Sequence, residues 1–225
     1  MKVAIIADIH SNLQALNAVV DEIRRTRAGA TVCAGDIVGY GANPNECAGI
    51  ITGLVDKAVL GNHDASALSR DTSGMNPYAA RACAWTSDVL DDAANKLLRS
   101  LAVEDRFRMA DRDFAMYHGS VGTFIDYVYE EEVDDSLLER ADADVLILGH
   151  THVPYVKELR GGLVVNPGSV GQPRDRDPRA SLAIYDSESR SCEIRRMDYD
   201  IEEAAKAITD AGLPRMLAER LREGR

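Results

Sequence analysis

Apolar residues fall along this chain in short runs, and the early runs each stop at a polar cluster containing aspartate, asparagine or histidine. Residues 2–7 (KVAIIA) are rich in β-branched side chains and predict a buried strand. Asp8-Ile9-His10 follows as a loop. Asn12 can then cap a helix that runs to about Arg27, with Leu13, Leu16, Val20 and Ile23 on one face. Residues 30–34 (ATVCA) predict a second strand that ends at Gly35-Asp36. Pro44, a favoured first-turn residue, opens a helix ending by about Val55. Residues 57–60 (KAVL) predict a third strand, ending at Gly61-Asn62-His63-Asp64. This order predicts parallel strands joined by crossover helices. In such sheets ligands bind beyond the carboxyl ends of the strands, where all three clusters fall.

The middle and the end follow other periods. Residues 65–100 start polar and become helical from Pro77, with Trp85, Val89 and Leu90 at helical spacing. They predict a helical insert that either lies beside the site or merely covers the sheet. From residue 105 the pattern turns mostly to strand. Residues 113–117 lead into His118, and residues 144–148 lead into Gly149-His150-Thr151-His152. Residues 155–159, 162–166, 181–186 and 192–198 alternate as antiparallel strands do. A helix from about Ile201 to Ala211 ends at Gly212, and a last helix runs on from Pro214. Strands on both sides of the middle helices predict two sheets packed face to face, with helices outside.

Composition narrows the picture. The 225 residues, 45% hydrophobic, suffice for a substantial core. No linker or repeat divides them, so residues 1–225 are expected to form a single domain. The net charge of −11 disfavours duplex nucleic acid as a main partner. Cys33, Cys47, Cys83 and Cys192 show neither zinc-knuckle nor disulfide spacing. The first apolar run meets Asp8 too soon to be a signal-peptide core, and no segment is long enough to span a membrane. A cytoplasmic location and no membrane partner are the expectation.

The chemistry lies in the histidines. All five sit in the clusters: His10, His63, His118, His150 and His152. Divalent ions take carboxylate oxygen and imidazole nitrogen. Asp8 and His10, two apart on a loop, can grip one ion. His150 and His152 can do the same, or serve two different ions. Asp36 can bridge a pair through its two oxygens, and Asn62 offers an uncharged carbonyl oxygen. Any one of these clusters alone is a weak signal; their succession in order, each at a strand end, points to a metal-dependent enzyme.

The series Asp8-x-His10, Gly35-Asp36, Gly61-Asn62-His63-Asp64, His118 and Gly149-His150-x-His152 closely resembles the calcineurin-like metallophosphoesterase superfamily. The surrounding segments 7–12, 35–41 and 166–175 are similar to its small prokaryotic single-domain phosphoesterases. The resemblance spans about residues 2–200. It implies an α/β (α+β) fold: a four-layer αββα sandwich of two mixed β-sheets flanked by helices, with the helical insert at about 65–100. It also implies a two-metal centre at one edge of the sheets. Asp8, His10, Asp36 and His152 would hold the first metal, and Asp36, Asn62, His118 and His150 the second. Manganese is the first candidate, and iron, zinc, cobalt or nickel also suit mixed N/O ligands. A metal-bridging hydroxide would attack phosphorus in line, with His63 assisting the leaving group.

One departure bears on the substrate. Larger family members carry Gly-Asp-x-x-Asp-Arg-Gly at the second motif, and here the last three positions are Gly39, Tyr40 and Gly41. The aspartate that would orient the catalytic histidine and the arginine that would grip phosphate are both absent. This disfavours protein-phosphatase activity and favours a small phosphorylated substrate: a phosphomonoester, a phosphodiester or a nucleotide. Arg174 is a candidate replacement for the phosphate contact, the alternative being a loop arginine paired with Asp175 or Asp177. Tyr40 and Tyr78 are candidates to stack on a base or close the cleft, with ordinary packing as the favoured alternative. Two other functions stay open: a non-catalytic metal-binding scaffold on the same fold, or a nuclease acting on short single-stranded nucleic acid.

Overall fold

The computed structural model describes residues 1–109 and 111–225. The first sheet is built from β1 (Lys2–Ile6), β2 (Ala30–Cys33), β3 (Lys57–Ala58), β9 (Ala180–Asp186) and β10 (Ser191–Met197). Its order is β10-β9-β1-β2-β3, with β1, β2 and β3 parallel, β9 antiparallel to β1, and β10 antiparallel to β9 at the edge. The second sheet holds β4 (Glu104–Met109), β5 (Arg112–Tyr117), β6 (Val145–Ile147), β7 (Tyr155–Leu159) and β8 (Gly162–Asn166). Its order is β4-β5-β6-β8-β7; β5, β6 and β8 run parallel, and β4 and β7 are antiparallel edges.

The layers follow from the alternation of side chains across a strand. Val3 and Ile5 of β1 point between the sheets, where they join Phe114, Met116, Val145, Ile147, Val165 and Tyr185. Ala4 and Ile6 point the other way, onto α1 (Leu13–Thr26) and α2 (Pro44–Leu54), through Leu16, Val19, Ile23, Cys47 and Ile51. Strands covered on both faces need no polar residue, which explains their unbroken apolar runs. On the far side of the second sheet, Ala115, Leu146 and Val164 pack on Leu137, Leu138 and Ala141 of α6 (Asp135–Ala141). The four-layer αββα arrangement is thus present.

Asn12 accepts from the Ala15 amide at 3.1 Å and starts α1, as its sequence position predicts. The helical insert comprises α3 (Asn62–Ser69), α4 (Pro77–Val89) and α5 (Asp92–Ser100). It begins earlier than expected: Asn62, His63 and Asp64 form the first turn of α3 instead of a loop. The Asp64 carboxylate receives the Gly61 amide at 3.1 Å, so the acidic residue itself closes the helix start. Two further expectations need correction. The third strand is cut to Lys57–Ala58, because the Leu60 amide bonds Ala102 instead of the sheet. Residues 162–166 pair antiparallel with β7 but parallel with β6, so the late strands are not uniformly antiparallel.

The chain ends in α7 (Ile201–Asp210) and α8 (Arg215–Glu223). Their apolar faces, including Ala204, Ile208, Leu217 and Leu221, close over Tyr40 and over Ala79 and Ala82 of α4. No helix among the described residues is long and apolar enough to cross a membrane. The four cysteines are free, and Cys33, Cys47 and Cys83 are buried.

Candidate metal centre

Five loops meet at one edge of the sandwich. Asp8 and His10 follow β1, Asp36 follows β2, and Asn62 opens α3 after β3; His118 follows β5, and His150 and His152 follow β6. The first sheet therefore supplies three of the loops and the second sheet two. Asp8, His10, Asp36, His150 and His152 all adopt left-handed backbone, with φ between 50° and 67°. Such conformations cost energy in non-glycine residues, and their concentration here marks a place where side-chain direction overrides backbone comfort.

Backbone hydrogen bonds hold the loops in register. The Asp8 amide donates to Gly35 O at 3.0 Å, and the Ile9 and His10 amides donate to Asp36 O at 2.8 and 3.0 Å. Across the sheets, the His150 amide donates to Asp8 Oδ2 at 3.0 Å. Segment 166–172 braces the whole from behind. Asn166 donates to Gly149 O at 2.7 Å, and the Ser169 hydroxyl donates to Asp8 O at 2.7 Å. Close approach is essential at Gly61, where any Cβ would collide with the Asp36 carboxylate.

The candidate ligands sort into two groups. Asp8 Oδ1, His10 Nε2 and His152 Nε2 face one point: His152 lies 3.3 Å from Asp8 and 3.0 Å from His10, and His10 lies 3.7 Å from Asp8. Asp36, His118 and His150 face a second point, with Asn62 Oδ1 at 3.1 Å from His118 Nε2. Asp36 Oδ2 belongs to both, 3.6 Å from His10 and 3.3 Å from His118. His10, Asp36 and His63 also come together, which places His63 beside the shared carboxylate.

The donor set fits bound cations. Asp8 Oδ1 and Asp36 Oδ2 are buried without a hydrogen-bond partner. His10 Nδ1 faces Val38 O at 3.2 Å and His152 Nδ1 faces Gln172 O at 2.6 Å. Carbonyls only accept, so both Nδ1 atoms carry the proton, and the two neutral rings turn lone pairs toward each other at 3.0 Å. A positive ion between them relieves that repulsion. His118 Nδ1 likewise donates to Ala34 O at 2.7 Å, which turns Nε2 toward Asn62 Oδ1 at 3.1 Å and Asp36 Oδ2 at 3.3 Å. His150 differs: its Nε2 faces Ile125 O at 3.0 Å, which leaves Nδ1 to bind.

Charge is shared unevenly. Burial pushes His10, His150 and His152 below their ordinary range, with His150 at about 4, so these rings are neutral and ready to ligate. Burial also works against a charge on His118, but the carboxylates of Asp36 and Asp8 overcome it and lift His118 to about 10. Burial opposes ionisation of Asp36 as well; His118, His63 and His10 nevertheless hold its carboxyl well below the usual range. Burial raises Asp8.

All seven candidate ligands thus converge, and His63 joins them. Tyr40 does not open toward a base: it is buried, with its ring 4.6 Å from the His10 ring and 4.4 Å from His63. Tyr78 is exposed on α4. Arg174 donates to the Tyr40 hydroxyl at 3.1 Å and to Gln172 Oε1 at 3.2 Å. The expected alternative pairings go elsewhere, since Asp175 pairs with Arg196 and Asp177 with Arg179.

Sequence reasoning missed two contributors. Asp64 receives the Val38 amide at 3.0 Å as well as Gly61, and so ties the second motif to the third; burial and nearby Asp36 raise it to about 7. Its position as third residue of a helix is the signal that could have found it. Tyr127 stacks on the His150 ring, centroids 4.0 Å apart. The run of exposed apolar residues Ile125, Tyr127 and Tyr129, in a loop without periodicity, was its signal. This loop and α3 flank a cleft of about 520 Å³ that reaches Asn62 and His150.

Comparisons with known proteins agree with this geometry. The Calcineurin-like phosphoesterase superfamily domain matches residues 1–190. An uncharacterized protein of Methanocaldococcus jannaschii is 38% identical, over 99% of this chain and 98% of its own. The crystal structure of a metallophosphoesterase from Sphaerobacter thermophilus superposes with a TM-score of 0.86 at 33% identity, covering 100% of this chain and 99% of that one. A hypothetical protein from Pyrococcus horikoshii shares the fold, with a TM-score of 0.87 at 19% identity over 100% of this chain and 98% of its own. The chain belongs to the calcineurin-like phosphoesterase superfamily and is a metal-dependent phosphoesterase.

Proposed function

We propose that this chain hydrolyses a small phosphomonoester, phosphodiester or nucleotide at a binuclear centre. The first metal would be held by Asp8, His10, Asp36 and His152, and the second by Asp36, Asn62, His118 and His150. The observation that carries this reading is Asp36 Oδ2, buried, unpartnered and shared between the two ligand groups. When bound, the metals, with manganese the first candidate, would supply an activated water and offset charge on the phosphate oxygens.

The protein groups have separate tasks. His63 lies against the shared carboxylate with its Nδ1 buried and unpartnered. Burial holds its ring below the ordinary range, so it is neutral in the free chain. An anionic substrate beside it would favour protonation, and the proton could then pass to the leaving-group oxygen. Arg174 would contact the non-bridging oxygens, since its Nε is buried and uncommitted. Tyr40 would act as its support through the hydroxyl. A cleft of about 520 Å³ suits a small organic phosphate better than a folded protein.

Asp36→Asn keeps the shape and removes the shared charge. Turnover of an aryl phosphate with manganese should fall by at least a thousandfold while the circular dichroism spectrum is unchanged. Activity retained within tenfold would sink the two-metal reading.

A further inference from the structure

Arg174 has a neighbour of the same charge. Arg220 lies on α8, beyond the segment matched by the family domain. Leu217 and Leu221 of α8 are buried against Tyr40, the residue whose hydroxyl holds Arg174. Arg220, three residues after Leu217 and one before Leu221, sits at the edge of that packed face. The end of the helix is fixed as well: the Arg176 amide donates to Gly224 O at 2.9 Å, which docks α8 onto the loop that carries Arg174. This packing brings the Arg220 charge within electrostatic reach of Arg174, and both within reach of the phenols of Tyr40 and Tyr127.

Neither cation forms an ion pair with a carboxylate among the described residues. Arg222 pairs with Glu202 and Arg225 with Glu223, but Arg220 has no carboxylate partner among the described residues. Arg174 is largely buried, bonds only neutral oxygens, and keeps its Nε unpartnered. The chain has 37 acidic residues against 26 lysines and arginines, so carboxylates are plentiful. Burial and the neighbouring Arg174 push Arg220 below its ordinary value, whereas, against its own burial, Tyr40, Tyr127 and Asp8 keep Arg174 above its own. A basic residue in the last turn of a helix also favours the helix dipole, yet Arg222 already fills that role at the surface.

We propose that Arg174 and Arg220 form a second anion subsite beside the metal centre, so that the preferred substrate carries a second phosphoryl group next to the scissile one, as in a diphosphate or phosphoanhydride. The inference rests on the phosphoesterase reading of the same site. Arg174 would span the reacting phosphate and its neighbour, and Arg220 would hold the neighbour alone. Specificity would then be set partly by the C-terminal helix.

The test compares Arg220→Gln with the unaltered chain, both loaded with manganese. Binding of orthophosphate and of methylenediphosphonate is measured by titration calorimetry, and turnover of an aryl phosphate is measured separately. The unaltered chain should bind the bisphosphonate at least tenfold tighter than orthophosphate. Arg220→Gln should lose about tenfold on the bisphosphonate, stay within twofold on orthophosphate and keep aryl phosphate turnover. Arg220→Lys should recover part of the loss, which separates charge from folding. Equal losses on both ligands, or none, would overturn the subsite. An unaltered chain that binds as described but turns over no phosphate ester would instead overturn the phosphoesterase reading and leave the subsite standing.

Discussion

Gly39 shows how far one residue can shape the surroundings of His63, the proposed proton donor. Its φ is +105°, and a Cβ there would stand 2.6 Å from His63 Nδ1. The place where larger relatives carry an aspartate is therefore closed here by the histidine ring itself. His63 is held instead by its backbone, whose amide donates to Asp36 Oδ1 at 2.8 Å, and by packing against His10 and Tyr40. Gly39→Ala should cost roughly 1–3 kcal/mol, from left-handed strain and the clash. It should also displace His63 and lower turnover. Urea unfolding at neutral pH checks the first, and aryl phosphate hydrolysis the second. Unchanged stability would mean that the loop yields freely. By the same reasoning, grafting the family aspartate at position 39 would not restore its role without rebuilding residues 37–41.

At the scale of elements, helix-to-sheet docking is reinforced by one buried acid. Glu22 of α1 receives Arg25 of its own helix at 2.8 Å and Arg195 of β10 at 2.7 Å. Arg25 and Arg195 together hold its carboxyl below the ordinary 4.5. A depressed acid stabilises the fold above its unfolded pKa, and the benefit is lost as pH falls through the folded value. Glu22→Gln should thus cost about 1 kcal/mol at pH 7 and less at pH 3. Denaturant midpoints at the two pH values measure this, and an equal loss at both would reject the ionic account. Such a contact, joining positions 22 and 195, is not written in any local pattern. The elements themselves were legible where they are local. Residues 2–60 declare strand, helix and polar loop through apolar runs and turn residues, and the candidate ligand histidines announce themselves by falling at strand ends. Helix α6 was missed because its seven residues present only Leu137, Leu138 and Ala141 to the core. The parallel pairing of β8 with β6 is hidden by the hairpin that β8 also forms with β7, and the docking of α8 on Tyr40 joins segments far apart in sequence.

For the molecule as a whole, the ligand set predicts a large effect of metal removal. At a free metal concentration one hundredfold above the dissociation constant, binding adds about 2.7 kcal/mol to the folded state. For a chain of this size that corresponds to a rise of roughly 5–10 °C in Tm on manganese loading, reversed by chelation. A scan with and without chelator measures it, and an unchanged Tm would argue against native-state metal binding. The candidate ligands come from both sheets, which bears on the order of assembly. Early in folding an ion finds only neighbours in sequence, such as Asp8 with His10, or His150 with His152. The complete grip appears only once the two ladders have docked. Metal capture by this ligand set is therefore expected late, and a misassembled chain, with every candidate ligand still in its sequence, would be left without its metals.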